Sequence, residues 1–517
     1  MDKEAKASFM EKKRKISVGE IFALLGICLI PFLVFIVIFS TAKASPEAFH
    51  FTISDETDYW IEAVTIVKRG LFNPNAGYFG YGFSNHSPVL YFGGHGLFNL
   101  LPNILTATLF TQKQYLSLLS NAGMISLGAA AYYFLTKSLK KTLLVTLLLF
   151  LFVPFVLYYF TGMIEIILFS GIFIFIPLWQ KLLTSEPNDS RAFNWYYAII
   201  FIWSLFRITY IFFLIPAFLY ELWRRHKPFW LLLLKYASTF VAASVLFWLT
   251  TASYPWYFIT QWMRSDSKLD YFIRHAFSVA YHIVSPVGVD PVEVAFRWTY
   301  LLWLGLLVVL LIRNWRKKPK EQQINLLSHV LLLTGKLAFL CLFYEIEDYR
   351  SIRYLAVAMA FSMIYFLVNN ENWPNRRVVT SAVAFTWLAV GAVFLFNGKH
   401  FYKELITRRL EPADRSSILQ KIKYDPNAKS RWENTIYLDF YNDTKPDFNF
   451  YDPGLGIMFP QFDELDDALA KASPDQALRA KYFLTSKDIE IPTYTKVGAE
   501  GGLNFYQKTD SLPTRGN

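Results

Sequence analysis

Long apolar runs recur along the chain and are separated by short basic turns. The run from Ile21 to Ala42 carries no charge, and Glu165 is the only charged residue between Thr142 and Gln180. Because about 20 apolar residues cross the hydrocarbon core, runs of this length predict transmembrane helices. The pattern predicts about eleven of them, at residues 18–41, 113–136, 142–180 (two helices and a tight turn near Thr161-Gly162), 194–223 (two short or broken helices meeting near Arg207), 228–250, 298–313, 324–344, 353–369 and 378–396.

The positions of lysine and arginine predict the orientation of the chain. Basic residues in short loops mark the cytoplasmic side of a membrane protein, and the strongest signal of this kind here is Arg313, Arg316, Lys317, Lys318 and Lys320. This rule places the N-terminus in the cytoplasm and the C-terminus outside, with residues 42–112 as a long external loop that has amphipathic elements of its own. The first apolar run exceeds the h-region of a signal peptide, about 7–15 residues, so we interpret it as a retained anchor.

After Lys399 the composition becomes that of a soluble domain. The sequence there carries strand patterns at Thr435–Tyr441, Lys481–Thr485 and Gly502–Tyr506. An amphipathic helix pattern occurs at Glu464–Ala472, and Asp452-Pro453-Gly454 is typical of a turn. The expected fold class is a mainly α, polytopic membrane protein with a C-terminal extracytoplasmic α/β domain. We predict a transmembrane module at residues 1–397 and the soluble domain at residues 398–517.

Composition supports a membrane location and excludes several kinds of site. Of the 517 residues, 54% are hydrophobic and 18% are aromatic, and the mean hydropathy is +0.28. The net charge of +11 is explained by the positive-inside pattern, so we expect no nucleic-acid partner. Cys28 and Cys341 lie in apolar runs and are too few for a zinc site or a disulfide framework. We expect both to be buried as small apolar side chains.

An acidic segment, Ser54-Asp55-Glu56-Thr57-Asp58, lies just beyond the first apolar run and continues into a short helical pattern. One interpretation is helix capping, since Ser54 or Asp55 can serve as an N-cap and early acids favour the positive end of the helix dipole. The other interpretation is functional. A carboxylate at the membrane–water interface can act as a general base towards a hydroxyl group or as a metal ligand.

Ionisable residues inside apolar runs are candidates for function, because a charge in the membrane is costly without a partner. Glu165 lies at the outer end of its run, either as a helix cap or as part of a site. Arg207 needs an anion, either Glu165 or a substrate phosphate. Arg350 and Arg353 begin a later run and either anchor at lipid headgroups or bind phosphate. We expect Lys336 to snorkel to the interface.

Three histidines give weaker signals. His86 lies in the segment Asn85-His86-Ser87-Pro88, and His95 lies between two glycines. Both positions are typical of hydrogen-bonding turn residues, although His86 is also a candidate for substrate binding. His329 lies inside an apolar run, where we expect a core histidine whose ring nitrogens are hydrogen-bonded.

Five segments together resemble, in the same order, the motifs of a family of membrane enzymes. They are Asp55-Glu56 with Tyr59, Asn85-His86-Ser87-Pro88-Val89-Leu90, Gly162–Phe169 around Glu165, Leu205-Phe206-Arg207-Ile208-Thr209, and Ser351-Ile352-Arg353-Tyr354. This order is similar to that of the GT-C superfamily of integral membrane glycosyltransferases, which includes the protein O-mannosyltransferases and the bacterial aminoarabinose transferases. The chain departs from the family at Ile166 and after Arg207, where proline is usual. The resemblance covers about residues 18–370.

The resemblance implies an inverting, single-displacement transfer of a sugar from a polyprenyl-phosphate donor on the outer face of the membrane. In that scheme Asp55 is the general base and Glu56 orients the acceptor or helps to hold a metal. Arg207 and Arg353 neutralise the phosphate as it leaves, which concentrates their effect in the transition state. The remaining substrate-binding residues implied by the resemblance are Tyr59, His86, Glu165 and Tyr354.

The sequence leaves the metal, the acceptor and two other classes of function open. Some relatives bind a divalent metal such as Mg²⁺ or Mn²⁺, but the first external loop has no Asp-x-Asp pair, so we expect no metal ligands. The acceptor is an envelope glycan, a lipid or a protein, and the expected location is the cytoplasmic (inner) membrane. The alternatives are a flippase or transporter of lipid-linked sugars, which internal repeats would favour, and an envelope glycan polymerase or ligase. The sequence has no evident repeat.

Overall fold

The apolar runs fold as helices, and a small β-sheet follows them in the sequence. The computed structural model of the chain describes residues 16–43, 45–46, 49, 54–71, 97–110, 114–184, 190–249, 267–285, 291–314, 320–343, 350–369, 376–396, 422–428, 431–439, 455–458, 480–485, 488, 490, 494–500 and 503–509. The α-helices are α1 (Val18–Ala42), α2 (Ser54–Arg69), α3 (Leu97–Leu109), α4 (Leu116–Thr136), α5 (Leu139–Leu151), α6 (Val153–Tyr159), α7 (Glu165–Ser170), α8 (Ile172–Thr184), α9 (Ser190–Phe206), α10 (Ile215–Trp223), α11 (Phe229–Leu249), α12 (Lys268–Val284), α13 (Pro291–Asn314), α14 (Lys320–Phe343), α15 (Arg350–Val368) and α16 (Arg376–Phe396).

The length and polarity of these helices agree with a polytopic membrane protein. Within the described residues, six helical stretches are long and apolar enough to cross a membrane, and the pair α5–α6, bent by 81°, would make a seventh. Shorter apolar helices occur at Leu97–Leu109, Ile208–Trp223, Ile352–Val368 and Arg377–Ala389. The predicted fold class, mainly α with a small C-terminal sheet, is confirmed. The count of eleven spans and the orientation of the termini stay predictions.

Local sequence signals fix several helix ends. Ser17 and Glu20 form a capping box at the start of α1: the Ser17 hydroxyl accepts from the Glu20 amide at 3.1 Å, and the Glu20 carboxylate accepts from the Ser17 amide at 3.0 Å. The left-handed backbone of Lys43 and of Lys137 terminates α1 and α4. These caps satisfy backbone groups that have no partner inside the helix.

Helix α1 is hydrogen-bonded to two other helices of the bundle. The Ser126 hydroxyl of α4 donates to the Cys28 carbonyl at 2.6 Å, and the buried Tyr159 hydroxyl donates to the Pro31 carbonyl at 2.7 Å. Cys28 and Cys341 are free and half-buried rather than fully buried.

Helices α7–α8 and α15 run in the same direction and are joined near both of their ends. Near the ends of the two helices that the sequence predicts to be cytoplasmic, the Tyr365 hydroxyl donates to Gln180. At the same level, Trp179 donates to Asn325 of α14 at 3.1 Å. An ion pair between Arg224 and Glu321 ties the end of α10 to the start of α14. The ends of α8, α10 and α15 and the start of α14 therefore lie together at one end of the bundle.

The predicted break near Arg207 is confirmed, but the predicted span at 298–313 begins earlier in the structure. Helix α9 ends at Phe206, Arg207 is extended with φ −154° and ψ 117°, and a 3₁₀ segment, Ile208–Leu214, continues into α10. The segment between the predicted spans 228–250 and 298–313 contains α12, and α13 already begins at Pro291. Arg297 is buried in α13 and pairs with Glu293 at 3.1 Å.

The strands of the C-terminal sheet are β1 (Thr435–Asp439), β2 (Gly456–Met458), β3 (Tyr482–Thr485), β4 (Tyr494–Glu500) and β5 (Leu503–Lys508). Their order in the sheet is β2-β1-β3-β5-β4. Strand β1 pairs in parallel with β2 and β3, whereas β5 is antiparallel to β3 and β4. The three predicted strands are thus confirmed. The predicted helix 464–472, the turn 452–454 and the domain boundary at 397/398 lie outside the described residues.

The sheet region also touches α2, which belongs to the segment predicted to be external. The guanidinium of Arg69, the last residue of α2, lies 4.5 Å from the ring centre of Tyr424, in the segment that precedes β1. A cation over an aromatic face at this distance is a favourable contact. The C-terminal part of the chain therefore contacts the helix that carries the acidic segment.

Substituting alanine for Gly128 tests the close approach of α4 to α7–α8. A Cβ atom at Gly128 would lie 2.8 Å from the ring of the buried Phe173 and 3.3 Å from the Ser170 carbonyl oxygen. We expect Gly128→Ala to destabilise the protein by about 1–3 kcal/mol, the usual cost of overpacking, and to lower the midpoint of thermal unfolding in detergent. Small residues allow such close helix contacts in membranes.

The matched control is Gly123→Ala on the same helix, where a Cβ would meet nothing within 4 Å. Alanine favours a helix over glycine by about 1 kcal/mol, so this variant should unfold at the same temperature as the wild type or higher. Equal losses in the two variants would show that α4 does not pack on α7–α8 in this way.

Candidate functional site

The turn before α7 is held by side chains from three other helices. Asn103 of α3 donates to the Gly162 carbonyl at 3.0 Å, and Glu56 of α2 accepts from the Gly162 amide at 3.0 Å. Asn121 of α4 donates to the Thr161 carbonyl at 2.8 Å. All three side chains are buried. Because buried backbone groups need partners, these bonds fix the turn and hence the position of Glu165, the first residue of α7.

The buried carboxylate of Glu165 binds two guanidinium groups through one oxygen. Its Oε1 accepts from Nη2 of Arg207 at 2.8 Å and from Nε of Arg353 at 2.5 Å. Glu165 has no exposed surface, whereas the Arg207 and Arg353 side chains keep 12% and 16% of theirs. Charge-assisted bonds of this kind are short and strong. The accessible face of the cluster is therefore cationic.

Two tyrosines complete the cluster. Nη2 of Arg353 donates to the Tyr59 hydroxyl at 2.9 Å, and the Arg207 guanidinium lies 4.8 Å from the ring centre of Tyr354. The guanidinium of Arg207 also reaches the backbone carbonyl of Arg353 at 3.5 Å. Five of the predicted site residues, including Glu165, thus meet at one end of the bundle, which we call the site end. The Arg224–Glu321 pair lies at the opposite end.

The broken helix explains how Arg207 reaches Glu165. The chain reverses between α9 and α10, and the extended backbone of Arg207 lies at that reversal. The Tyr196 hydroxyl of α9 donates to the Phe213 carbonyl of the 3₁₀ segment and ties the two arms together. A backbone break of this kind is tolerated in a membrane where it is buried in protein or lines a cavity.

The acidic segment is only partly within the described residues. Asp55 lies in the first turn of α2, one helical turn before Tyr59 and on the same face of the helix. The side chain of Asp55 and the whole of His86 lie outside the described residues, so their predicted roles stay predictions. Glu56 is buried, and its contact with Gly162 holds α2 to the turn that precedes Glu165.

The chemistry of the described residues offers few metal ligands. Within the parts of the chain that the structure describes, no group of three or more His, Cys, Asp or Glu side chains could hold a metal ion. The side chains of Asp55 and Asp58 fall outside that search, so metal binding by the acidic segment is untested.

Lys336 does not snorkel, contrary to the sequence-based expectation. It is 3% exposed within α14, and its Nζ donates to the Thr209 hydroxyl at 2.8 Å and lies 4.1 Å from the ring centre of Tyr210. Both partners follow Arg207 closely in the chain, so Lys336 lies beside the cluster instead of extending to an interface. The sequence does mark Lys336 as a candidate for function, because an ionisable residue inside an apolar run is costly without a partner.

His329 is a core residue as expected, but its ring nitrogens are not hydrogen-bonded. Neither nitrogen has a partner among the described residues. The ring packs against Trp179 and Phe366, with ring centres 4.8 and 4.7 Å away.

The buried Glu293–Arg297 pair of α13 was not predicted from the sequence. The Tyr300 hydroxyl of α13 donates to the Leu333 carbonyl of α14 at 2.8 Å, and α13 ends shortly before α14 begins, so the two helices are antiparallel. Since α14 begins at the Arg224–Glu321 pair, α13 begins at the site end.

The chain is similar to a known protein at the level of structure. No protein-family model matches the chain, and no curated protein matches it. Among solved structures, the chain is similar to the crystal structure of ArnT from Cupriavidus metallidurans bound to undecaprenyl phosphate. The identity is 13%, the alignment covers 96% of this chain and 99% of that chain, and the TM-score is 0.40. These values are too low to transfer properties, so function is inferred from the residues of this chain.

Replacing Glu165 with glutamine tests the charge in the cluster. Glu165→Gln keeps the shape of the side chain but leaves two guanidinium groups beside a neutral partner. Removing one partner of a buried ion pair costs about 3–5 kcal/mol, so we expect a loss of that size in equilibrium unfolding in mixed micelles.

Glu321→Gln is the matched control, since Glu321 also pairs with an arginine but its side chain is 41% exposed. Exposed pairs contribute about 0–1 kcal/mol. A similar, small loss for both variants would contradict a central role for the Glu165 carboxylate.

Proposed function

We propose that this protein is a membrane glycosyltransferase. It transfers a sugar from a polyprenyl-phosphate donor to an envelope glycan, lipid or protein acceptor on the outer face of the cytoplasmic membrane, with inversion. The observation that carries the proposal is the double contact of Arg353, whose guanidinium binds Glu165 and also donates to Tyr59. This contact joins the cationic cluster to the helix that carries Asp55.

The cationic face of the cluster suits the leaving group. When the bond between the sugar C1 and the phosphate oxygen breaks, its electron pair stays on the phosphate, which gains negative charge. Arg207 and Arg353 are held by Glu165 before the reaction begins, and preorganised cations stabilise charge that develops in the transition state. The amino group of Lys336 lies beside this face, where it donates to the Thr209 hydroxyl at 2.8 Å. The guanidinium fork also matches the geometry of a phosphate.

The acidic helix supplies the acceptor side of the reaction. In the proposed step the acceptor oxygen forms a bond to the sugar C1 as the phosphate departs, and Asp55 takes the hydroxyl proton. Asp55 lies one turn before Tyr59 on α2, and Tyr59 contacts Arg353. We assign Glu56 a positioning role, because its carboxylate holds α2 to the turn that precedes Glu165. His86 and Tyr354 remain proposed contacts of the substrate.

Release of lipid phosphate is the direct test of the proposal. The purified protein in liposomes is incubated with a panel of polyprenyl-phosphate sugars, and free polyprenyl phosphate is measured. We expect release from at least one donor by the wild type. Asp55→Asn should slow it by about 10²–10⁴-fold, the usual contribution of a general base, with unchanged thermal stability.

The opposite outcome is equally informative. A protein that releases no lipid phosphate from any donor, but moves a labelled lipid-linked sugar across the bilayer, would be a transporter. Asp55→Asn would then leave that movement unchanged.

Arg353→Lys tests the need for a forked cation. A lysine ammonium keeps the charge but cannot bind Glu165 and Tyr59 in the fixed geometry of a guanidinium. We expect kcat to fall by about 10²–10³-fold, as when one donor to a developing anion is removed. Arg377→Lys, at the exposed start of α16, should leave kcat unchanged. Full activity of Arg353→Lys would mean that only the charge at this position matters.

A further inference from the structure

Helix α12 exposes a row of large apolar side chains. Leu269, Ile273, Phe277 and Val284 keep 70%, 43%, 73% and 51% of their surface exposed. The first three are spaced by four residues, and Val284 follows seven residues later, so all four lie on one face of the helix. We call these four residues the apolar stripe. Contiguous exposed apolar surface of this kind marks an interaction site.

The other two faces of α12 have clear environments. Val279 and Ile283 are buried, and the helix packs on α13 and α14 through that side. A polar row lies next to the apolar stripe and includes Asp270 and Arg274, which are one turn apart. A carboxylate oxygen of Asp270 lies 2.8 Å from Nε of Arg274. Their side chains are 52% and 79% exposed. The helix therefore has one face towards protein, one polar face and one apolar face between them.

The apolar stripe continues the outer surface of a membrane-spanning helix. Trp298 of α13 is 52% exposed, and its indole N–H donates to the Val284 carbonyl at 3.2 Å. Further along α13, Leu302, Val309 and Ile312 are 67%, 59% and 73% exposed. In a candidate span such a face contacts lipid tails. Tryptophan is enriched at the level of the headgroups, which places the end of α12 at that level.

We propose that α12 lies in the membrane interface at the site end of the bundle, with its apolar stripe inserted among the lipid tails of that leaflet. The polar row then faces the headgroups and water, as in other interfacial amphipathic helices. The partner is the lipid bilayer itself. Because α12 packs on α14, which carries Lys336, this contact sets the depth of the cationic cluster relative to the headgroups.

Site-directed spin labelling in proteoliposomes tests the proposal without measuring activity. Cys28 and Cys341 are replaced by serine, and single cysteines are introduced at Ile273 or Phe277 in the stripe, or at Arg274 or Ser278 in the polar row. Each nitroxide is then exposed to oxygen, which concentrates in lipid, or to a water-soluble nickel chelate. Thermal unfolding compared with the cysteine-free parent excludes misfolded variants.

We expect the ratio of oxygen to chelate accessibility to be severalfold higher at positions 273 and 277 than at positions 274 and 278. Equal access of the chelate to both sets would place the stripe in water and overturn the proposal. Protection of 273 and 277 from both reagents, increasing with the protein-to-lipid ratio, would also overturn it, because a second copy of the chain would then cover the stripe. Neither result depends on glycosyl transfer, so the proposed function is tested separately.

Discussion

One oxygen atom of the Glu165 carboxylate holds two guanidinium groups that come from distant parts of the chain. This contact joins the start of α7, the reversal at Arg207 and the start of α15, and through Tyr59 it also reaches α2. A buried charge is costly unless it is paired. The cluster is therefore stable only when all of these elements lie in place, and the same interaction that organises the site end of the bundle gathers the groups proposed for catalysis.

Much of the helical architecture could be predicted, because transmembrane helices leave a strong signal in the length and apolarity of a run. The break at Arg207 followed from a single charge between two short runs, and β1, β3 and β5 followed from their strand patterns. The start of α13 could not be predicted, because charged residues such as Glu293 and Arg297 are typical of a loop. Their ion pair across one helical turn is evident only in the structure. Strand β2, with three described residues, is too short to leave a pattern.

The residues of the candidate site could be predicted from the sequence, but the contacts between them could not. Charges in apolar runs identified Glu165, Arg207 and Arg353, since a membrane makes such residues costly. Sequence could not tell that one carboxylate oxygen serves both arginines, or that Glu56 holds the turn at Gly162. The direction in which a lysine side chain extends cannot be predicted from the sequence either. Lys336 is therefore expected at the interface, whereas in the structure it contacts Thr209. The contact of Arg69 with Tyr424 ties the C-terminal region to the acidic helix, a link that composition alone does not reveal.

The two bonds that join α7–α8 to α15 have a mechanical consequence. Glu165 meets Arg353 near one end of this parallel pair, and Gln180 meets Tyr365 near the other. Two helices that are bonded near both ends resist sliding and separation, so we expect the pair to behave as one rigid unit across the bilayer. In the proposed reaction, the rearrangements that admit or release the long-chain lipid would then take place in the elements around this pair, while the pair itself keeps Glu165 and Arg353 in a fixed position.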